Sequence, residues 1–148
     1  MTKLTEHFTL EELTFSQTAT RKGIDNEPSD AVKRNLETLA KGLEQVRAIL
    51  LSSIHISSGY RSPALNKLIG GSAKSAHMDG YAADFTSPSF GNPEAIVRQL
   101  KRTGIKCDQC IMEGTWVHIS FAPEMRNQFL TATFNNGVAT YHQYKEAV

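Results

Sequence analysis

His77 and Asp84 stand seven positions apart in Ser75-Ala76-His77-Met78-Asp79-Gly80-Tyr81-Ala82-Ala83-Asp84, and a further histidine follows in Gly114-Thr115-Trp116-Val117-His118-Ile119-Ser120. Two imidazoles and one carboxylate are a sufficient protein ligand set for a catalytic Zn²⁺. Three protein ligands leave the fourth tetrahedral position to water, and the ion lowers that water's pKa to about 7. Taken alone, the histidine–aspartate spacing is weak evidence. The chain has five histidines, and some must fall near carboxylates by chance; His7, His55 and His142 read as solvent-facing or structural.

The elements that must position these residues follow from local pattern. Thr9-Leu10-Glu11-Glu12 is a capping box flanked by the staple pair Phe8 and Leu13, and predicts a short helix to about Ser16. A loop through Gly23 and Pro28 leads to a long helix from about Ser29. There Val32, Leu36, Leu39, Leu43, Val46 and Leu50 recur in steps of three and four, forming one apolar stripe for a core. Ile54 to Ser58 alternates as a strand, Gly59 turns the chain, and Ser62-Pro63 opens a short helix to about Ile69. Strands are expected at Tyr81–Thr86, Cys110–Met112 and Trp116–Phe121. The last two are joined by a bend at Glu113-Gly114, and a helix from Asn92-Pro93 to Gly104 precedes them. Asn136-Gly137 marks a type I′ hairpin near the C-terminus.

Helices first, then strands with short helices between them, predict an α+β fold: a single domain over residues 1–148 with N-terminal helices packed on a mainly antiparallel sheet that carries the metal site. Within it a helical leader (8–50), a core (52–121) and a C-terminal hairpin (129–144) can be distinguished. The net charge of +1, without a basic tract, argues against nucleic acid as a partner. The N-terminus lacks an apolar signal region and no stretch is long enough to span a membrane. The expectation is therefore cytoplasmic synthesis without a signal peptide, no membrane insertion, and a monomer. Cys107-Asp108-Gln109-Cys110 has no second pair to complete a zinc ribbon and follows a helix rather than a strand, so both thiols read as ordinary core or edge residues.

Three motifs in order, Ser58-Gly59-Tyr60-Arg61-Ser62, then Ser75-x-His77-x-x-Gly80-x-Ala82-x-Asp84, then Trp116-x-His118, resemble the zinc D-Ala-D-Ala metallopeptidases. That group includes vancomycin-resistance D,D-carboxypeptidases and phage endolysins, and it shares its fold with the amino-terminal domain of hedgehog proteins. The resemblance covers roughly Ser52 to Phe121, and the helical leader resembles that of phage and prophage members. It implies hydrolysis of peptide bonds at or near D-alanine in peptidoglycan stem peptides, at the bacterial cell wall, after release or as a virion component. It implies that His77, Asp84 and His118 hold Zn²⁺, that Arg61 polarises the scissile carbonyl, and that Ser75, with Tyr60 and Trp116, lines the substrate site.

The general base departs from the family pattern. Many relatives carry a carboxylate three residues before the second histidine, where this chain has Thr115, which cannot take a proton. Glu113 is the nearest carboxylate. Strict strand alternation would put it on the wrong face, unless the Gly114 bend resets the phase as a bulge does. Asp79 and Asp108 are the fallback candidates. The missing carboxylate at Thr115 also keeps open an alternative, a non-catalytic zinc-containing peptidoglycan-binding module of the same fold.

Overall fold

A computed structural model describes residues 2–146, and in it the helices begin where side chains cap them. Thr9 accepts from the Glu12 amide and starts α1 (Leu10–Thr14); Ser29 accepts from Val32 and starts α3 (Asp30–Leu50). Ser62 and Asn92 do the same for α4 (Pro63–Leu68) and α5 (Pro93–Thr103), each with proline in the first turn. One helix departs from the sequence reading. The first helix stops at Thr14, Phe15 is extended, and Ser16 caps a separate α2 (Gln17–Lys22) through the Ala19 amide. The segment expected to be a loop up to Gly23 is thus helical, because Ser16 is a start signal rather than a tail.

Six strands form one sheet: β1 (His55–Ser58), β2 (Ala82–Thr86), β3 (Gln109–Glu113), β4 (Trp116–Ser120), β5 (Gln128–Asn135) and β6 (Val138–Gln143), in the order β1-β2-β4-β3-β5-β6. All neighbours are antiparallel except β3 and β5. The fold is therefore α+β with a mainly antiparallel sheet, as the element order predicts.

The two faces of the sheet have different work. Ala83 and Phe85 of β2, Val117 and Ile119 of β4, and Cys110 of β3 point to one face and are buried with Leu36, Leu39 and Leu43 of α3 and Ile96, Val97 and Leu100 of α5. The long apolar stripe of α3 is thus core, as its spacing requires. Strand alternation then sends Ala82, Asp84, His118 and Ser120 to the other face. The helices build the platform and the chemistry lies on its far side.

Candidate active site

Backbone pairing brings two of the three proposed ligands together. Asp84 of β2 is the direct cross-strand partner of His118 of β4, so both side chains rise from the same face a few ångströms apart. The carboxylate Oδ1 lies 3.0 Å from His118 Nδ1. His77 arrives differently. It sits in a single turn of 3-10 helix (Ala76–Asp79), capped by Ser75, whose hydroxyl accepts from the His77 amide at 3.2 Å. Gly80 closes that turn, its amide donating to the Ala76 and His77 carbonyls. His77 Nε2 then lies 3.2 Å from Asp84 Oδ1, and the two imidazole rings meet edge-on with centroids 5.0 Å apart.

The donor set fits a small divalent cation. The three ligand atoms lie within 4.8 Å of one another. Tetrahedral zinc with bonds of about 2.0–2.1 Å holds its ligand atoms about 3.3 Å apart, close to the two carboxylate–imidazole distances. Proton bookkeeping says the same. The Gly59 carbonyl, 2.7 Å from His77 Nδ1, can only accept, so Nδ1 carries the hydrogen and Nε2 presents a lone pair to the carboxylate. Two acceptors facing each other need a cation between them. Burial lowers the His77 pKa in spite of the carboxylate beside it, which disfavours a proton in that role and leaves the place to a metal. Burial alone would raise the Asp84 pKa, but the two imidazoles beside it, His118 before His77, outweigh it and hold the carboxyl well below its ordinary range.

Glu113 joins this group, by a route different from the one expected. Gly114 and Thr115 form a two-residue hairpin turn, with Gly114 at the positive φ of 78° that such a loop needs. Glu113 pairs directly with Trp116, and cross-strand partners share a face. No bulge resets the phase; the alternation count fails because it was carried across a chain reversal. Glu113 Oε1 lies 3.7 Å from His118 Nδ1, and its side chain is 17% exposed. Burial raises its pKa, with Asp84 adding to the rise and the His118 and Arg61 charges opposing it. Thr115 is exposed in the turn, so the departure from the family pattern falls on a residue outside the centre. The fallback carboxylates are engaged elsewhere. Asp79 is exposed, and Asp108 is held bidentately by Arg126 at 2.9 Å for each contact.

Arg61 approaches from the β1 side. Its Nη2 lies 3.7 Å from Asp84 Oδ2, its Nη1 donates to Asn66 Oδ1 at 3.0 Å, and its Nε reaches Ser58 Oγ at 3.4 Å. A bulge in β1 puts Ser58 opposite Asp84, which brings that hydroxyl to the guanidinium. Burial lowers the Arg61 pKa while the Asp84 and Glu113 charges oppose the change. Asn66 was not anticipated. It is buried, accepts from Arg61 and donates to the Ser72 carbonyl at 2.9 Å. The available signal was an amide beside the buried Leu65 in a short helix. Asn26 was missed too: it accepts from the Ser62 amide at 2.7 Å and donates to the Thr14 and Tyr60 carbonyls, tying the helical leader to the Arg61 loop.

The three expected substrate-lining residues part company. Trp116 shares the His118 face next to Glu113, and its indole N–H is buried without a partner among the described residues. Ser75 is half-buried and holds the His77 turn. Tyr60 is 6% exposed and belongs to the buried core cluster with Phe8 and Leu13, so little of it is open to a substrate. The reason is that its amide donates to the Leu13 carbonyl at 2.7 Å, which docks this segment on α1. Cys107 and Cys110 are free and buried, and burial pushes the Cys107 thiol up to about 12, so neither is poised to react. A cavity of about 780 Å³ lies elsewhere, between α3 and the segments following α5 and β4, with Gly42, Ile105 and Phe121 in its wall.

No helix among the described residues is long and apolar enough to cross a membrane. A search of curated proteins found no match. The family model described as Peptidase M15, by contrast, matches residues 6–120. Since that match spans well over half of the 148 residues and takes in every residue from Arg61 to His118, the chain belongs to the Peptidase M15 family of metallopeptidases.

Proposed function

We propose that this chain is a zinc-dependent hydrolase that cleaves peptide bonds at or near D-alanine in peptidoglycan stem peptides, in phage or prophage lysis or another form of cell-wall degradation. The observation that carries the reading is the convergence of Glu113 and Arg61 on the His77–Asp84–His118 donor set from two different elements. A metal-binding module needs the three ligands alone. A carboxylate of raised pKa on one side and a half-buried guanidinium on the other are what hydrolysis adds.

His77, Asp84 and His118 would hold the ion, which when bound would supply Lewis acidity and make water more acidic, to a pKa of about 7. Glu113 accepts the proton of the attacking water and returns it to the departing amine, a service typically worth about 10²–10⁴-fold. Arg61 donates to the carbonyl oxygen as negative charge develops there. Asn66 and Ser58 fix the guanidinium so that it costs no reorganisation at that moment. Trp116 walls the reacting centre beside Glu113.

The test is mass spectrometry of muropeptides after purified peptidoglycan is incubated with the zinc-loaded chain, beside an EDTA-treated control. Loss of one D-alanine from pentapeptide stems defines a carboxypeptidase, and internal cleavage products define an endopeptidase. Zinc bound at one equivalent with no zinc-dependent product would refute the enzyme reading in favour of a binding module.

A further inference from the structure

The C-terminal hairpin β5–β6 lies outside residues 6–120, the part matched by the family model, yet it extends the sheet that carries the centre. Its register fixes which side chains face the site. Ile111 is paired with both His118 and Leu130, and Leu130 with Gln143. Two residues further along the strands, and so on the same face, Trp116 is paired with Glu113, and Ala132 with Tyr141. Because Met112 is paired with Thr131, Glu113 is level with Ala132. Trp116, Glu113, Ala132 and Tyr141 therefore make one row across four adjacent strands, on the face that bears the ligands. Ala132 contributes only a methyl between Glu113 and the tyrosine.

The polarity of the hairpin's outer part is the reverse of what core packing would select. Its site face carries Leu130, Ala132, Phe134, Ala139 and Tyr141, with Gln143 beside Leu130 at the inner end. The other face carries Thr133, Asn135, Thr140 and His142, with Val138 at the turn. Phe134 is 53% and Tyr141 51% exposed. The two occupy diagonal positions on neighbouring strands, within reach of one another. Tyr141 also feels the charges of Glu113 and Asp84, which with burial raise its pKa; the phenol is thus within electrostatic range of the centre. No charged side chain stands on this face of the hairpin.

Resting on the peptidoglycan reading above, we infer that Tyr141 and Phe134 form an aromatic shelf that binds the glycan end of the substrate, the apolar face of a pyranose ring lying on the aromatic rings. An uncharged aromatic surface gives the carboxylates and amines of a stem peptide nothing to pair with. A sugar ring matches it, since one face of C–H groups stacks while its hydroxyls stay in water, and the Tyr141 hydroxyl offers a hydrogen bond at the rim. The dimensions agree. An extended stem rises about 3.3 Å per residue, so its sugar lies roughly 10–15 Å from a bond three or four residues down. Two strand spacings of about 4.8 Å separate Glu113 from β6, and the side chains reach further.

The test compares two soluble substrates on the zinc-loaded full chain: the free stem pentapeptide, and the same stem on its N-acetylglucosamine–N-acetylmuramic acid disaccharide. Tyr141→Ala and Phe134→Ala are each expected to raise KM for the disaccharide-bearing substrate about tenfold, the effect of losing one stacking partner. The turnover number and the KM of the free pentapeptide should not change, and Tyr141→Phe should keep most of the affinity. Equal losses on both substrates would assign the shelf to the peptide and overturn the inference, as would no loss on either. An amide-NMR titration of the same chain with the disaccharide alone, which contains no scissile bond, provides a second readout. Shifts should cluster in β5–β6 and vanish in Tyr141→Ala; shifts elsewhere or none overturn the shelf. If the unaltered chain hydrolyses neither substrate the peptidase reading falls, while the titration still decides the shelf.

Discussion

Gly59 links the stability of this fold to the order of its centre, and Gly59→Ala separates the two. A Cβ at position 59 would lie 2.2 Å from the Leu13 carbonyl oxygen and 2.9 Å from its carbon. Both are backbone atoms, so no side chain can swing away to make room. The same carbonyl accepts the Tyr60 amide at 2.7 Å, in a region where Leu13 and Tyr60 are buried. Relieving the overlap means moving α1 away from the strand β1 exit. Overpacking of this kind costs about 1–3 kcal/mol, and weakening the buried hydrogen bond adds about 1–3 kcal/mol. The sum of about 2–6 kcal/mol lowers the melting temperature by about 5–20 °C for a chain of this length. The effect on the centre follows from the Gly59 carbonyl, which accepts from His77 Nδ1 at 2.7 Å. Disturbing a partner that orients a ligand costs about 10–100-fold in metal affinity. The comparison variant is Gly104→Ala, where nothing lies within 4 Å and only the left-handed backbone, φ 73°, is strained; its cost is about 1–2 kcal/mol. Thermal melts followed by circular dichroism, with zinc affinity from chelator competition, read both quantities. If Gly59→Ala melts no lower than Gly104→Ala, or binds zinc as the unaltered chain does, the docking argument is refuted.

Glu113→Gln is expected to lower hydrolysis by about 10²–10⁴-fold with zinc content unchanged. Adding Thr115→Glu to that variant should restore nothing, because residue 115 is exposed in the turn; a rescue measured by muropeptide release would show that the turn carboxylate reaches the centre. Arg61→Lys should cost about 10²–10³-fold in kcat with little change in zinc affinity, since an ammonium cannot keep the Asn66 contact and still face the carbonyl oxygen. The metal-free protein should lose stability in two stages on acidification. His77 and Asp84 both have folded pKa values below their ordinary 6.5 and 3.8, so the unfolded chain binds more protons and stability falls as pH drops. Melting temperatures should decline first below about pH 6.5 and again below about pH 4; Asp84→Asn should make the second decline shallower, the remainder coming from carboxyls such as Asp108, which Arg126 also holds below the ordinary range.

Most elements were legible because their signals are local. A serine, threonine or asparagine cap fixes a helix start, Pro63 and Pro93 suit a first turn, and the α3 stripe declares its buried face. Asp84 and His118 could be assigned to one face because alternation holds within a strand. What failed did so where a local rule was carried across a break. Ser16 ends nothing and begins α2; its cap competes with the tail of α1. Glu113 looked out of phase with His118 because the count passed through a hairpin, where pairing and not parity decides the face. Tyr60 sat beside Arg61 in the motif, but adjacent residues on an extended chain point in opposite directions, and Tyr60 went to the core. Asn26 and Asn66 were invisible because they bridge segments far apart in sequence and no periodicity marks a residue that only orients another.

The centre draws its order from backbone before any metal is considered. Asp84 and His118 are placed by a cross-strand pair, His77 by a capped turn and the Gly59 carbonyl, and Arg61 by an amide donating to the His77 carbonyl at 3.1 Å, alongside its Asn66 contact. Each position is fixed by bonds that do not involve the ion. Ordering a rotamer-rich side chain costs about 0.5–1.5 kcal/mol at the moment of binding, and folding has already met that cost for all four residues. A metal ion and a substrate entering the proposed site would therefore meet a geometry decided by the pairing of β2 with β4 and by the docking of the His77 turn. Changes that leave every ligand in place but loosen that pairing or that docking, Gly59→Ala among them, should damage function as the loss of a ligand does. The difference would be one of degree, readable in zinc affinity.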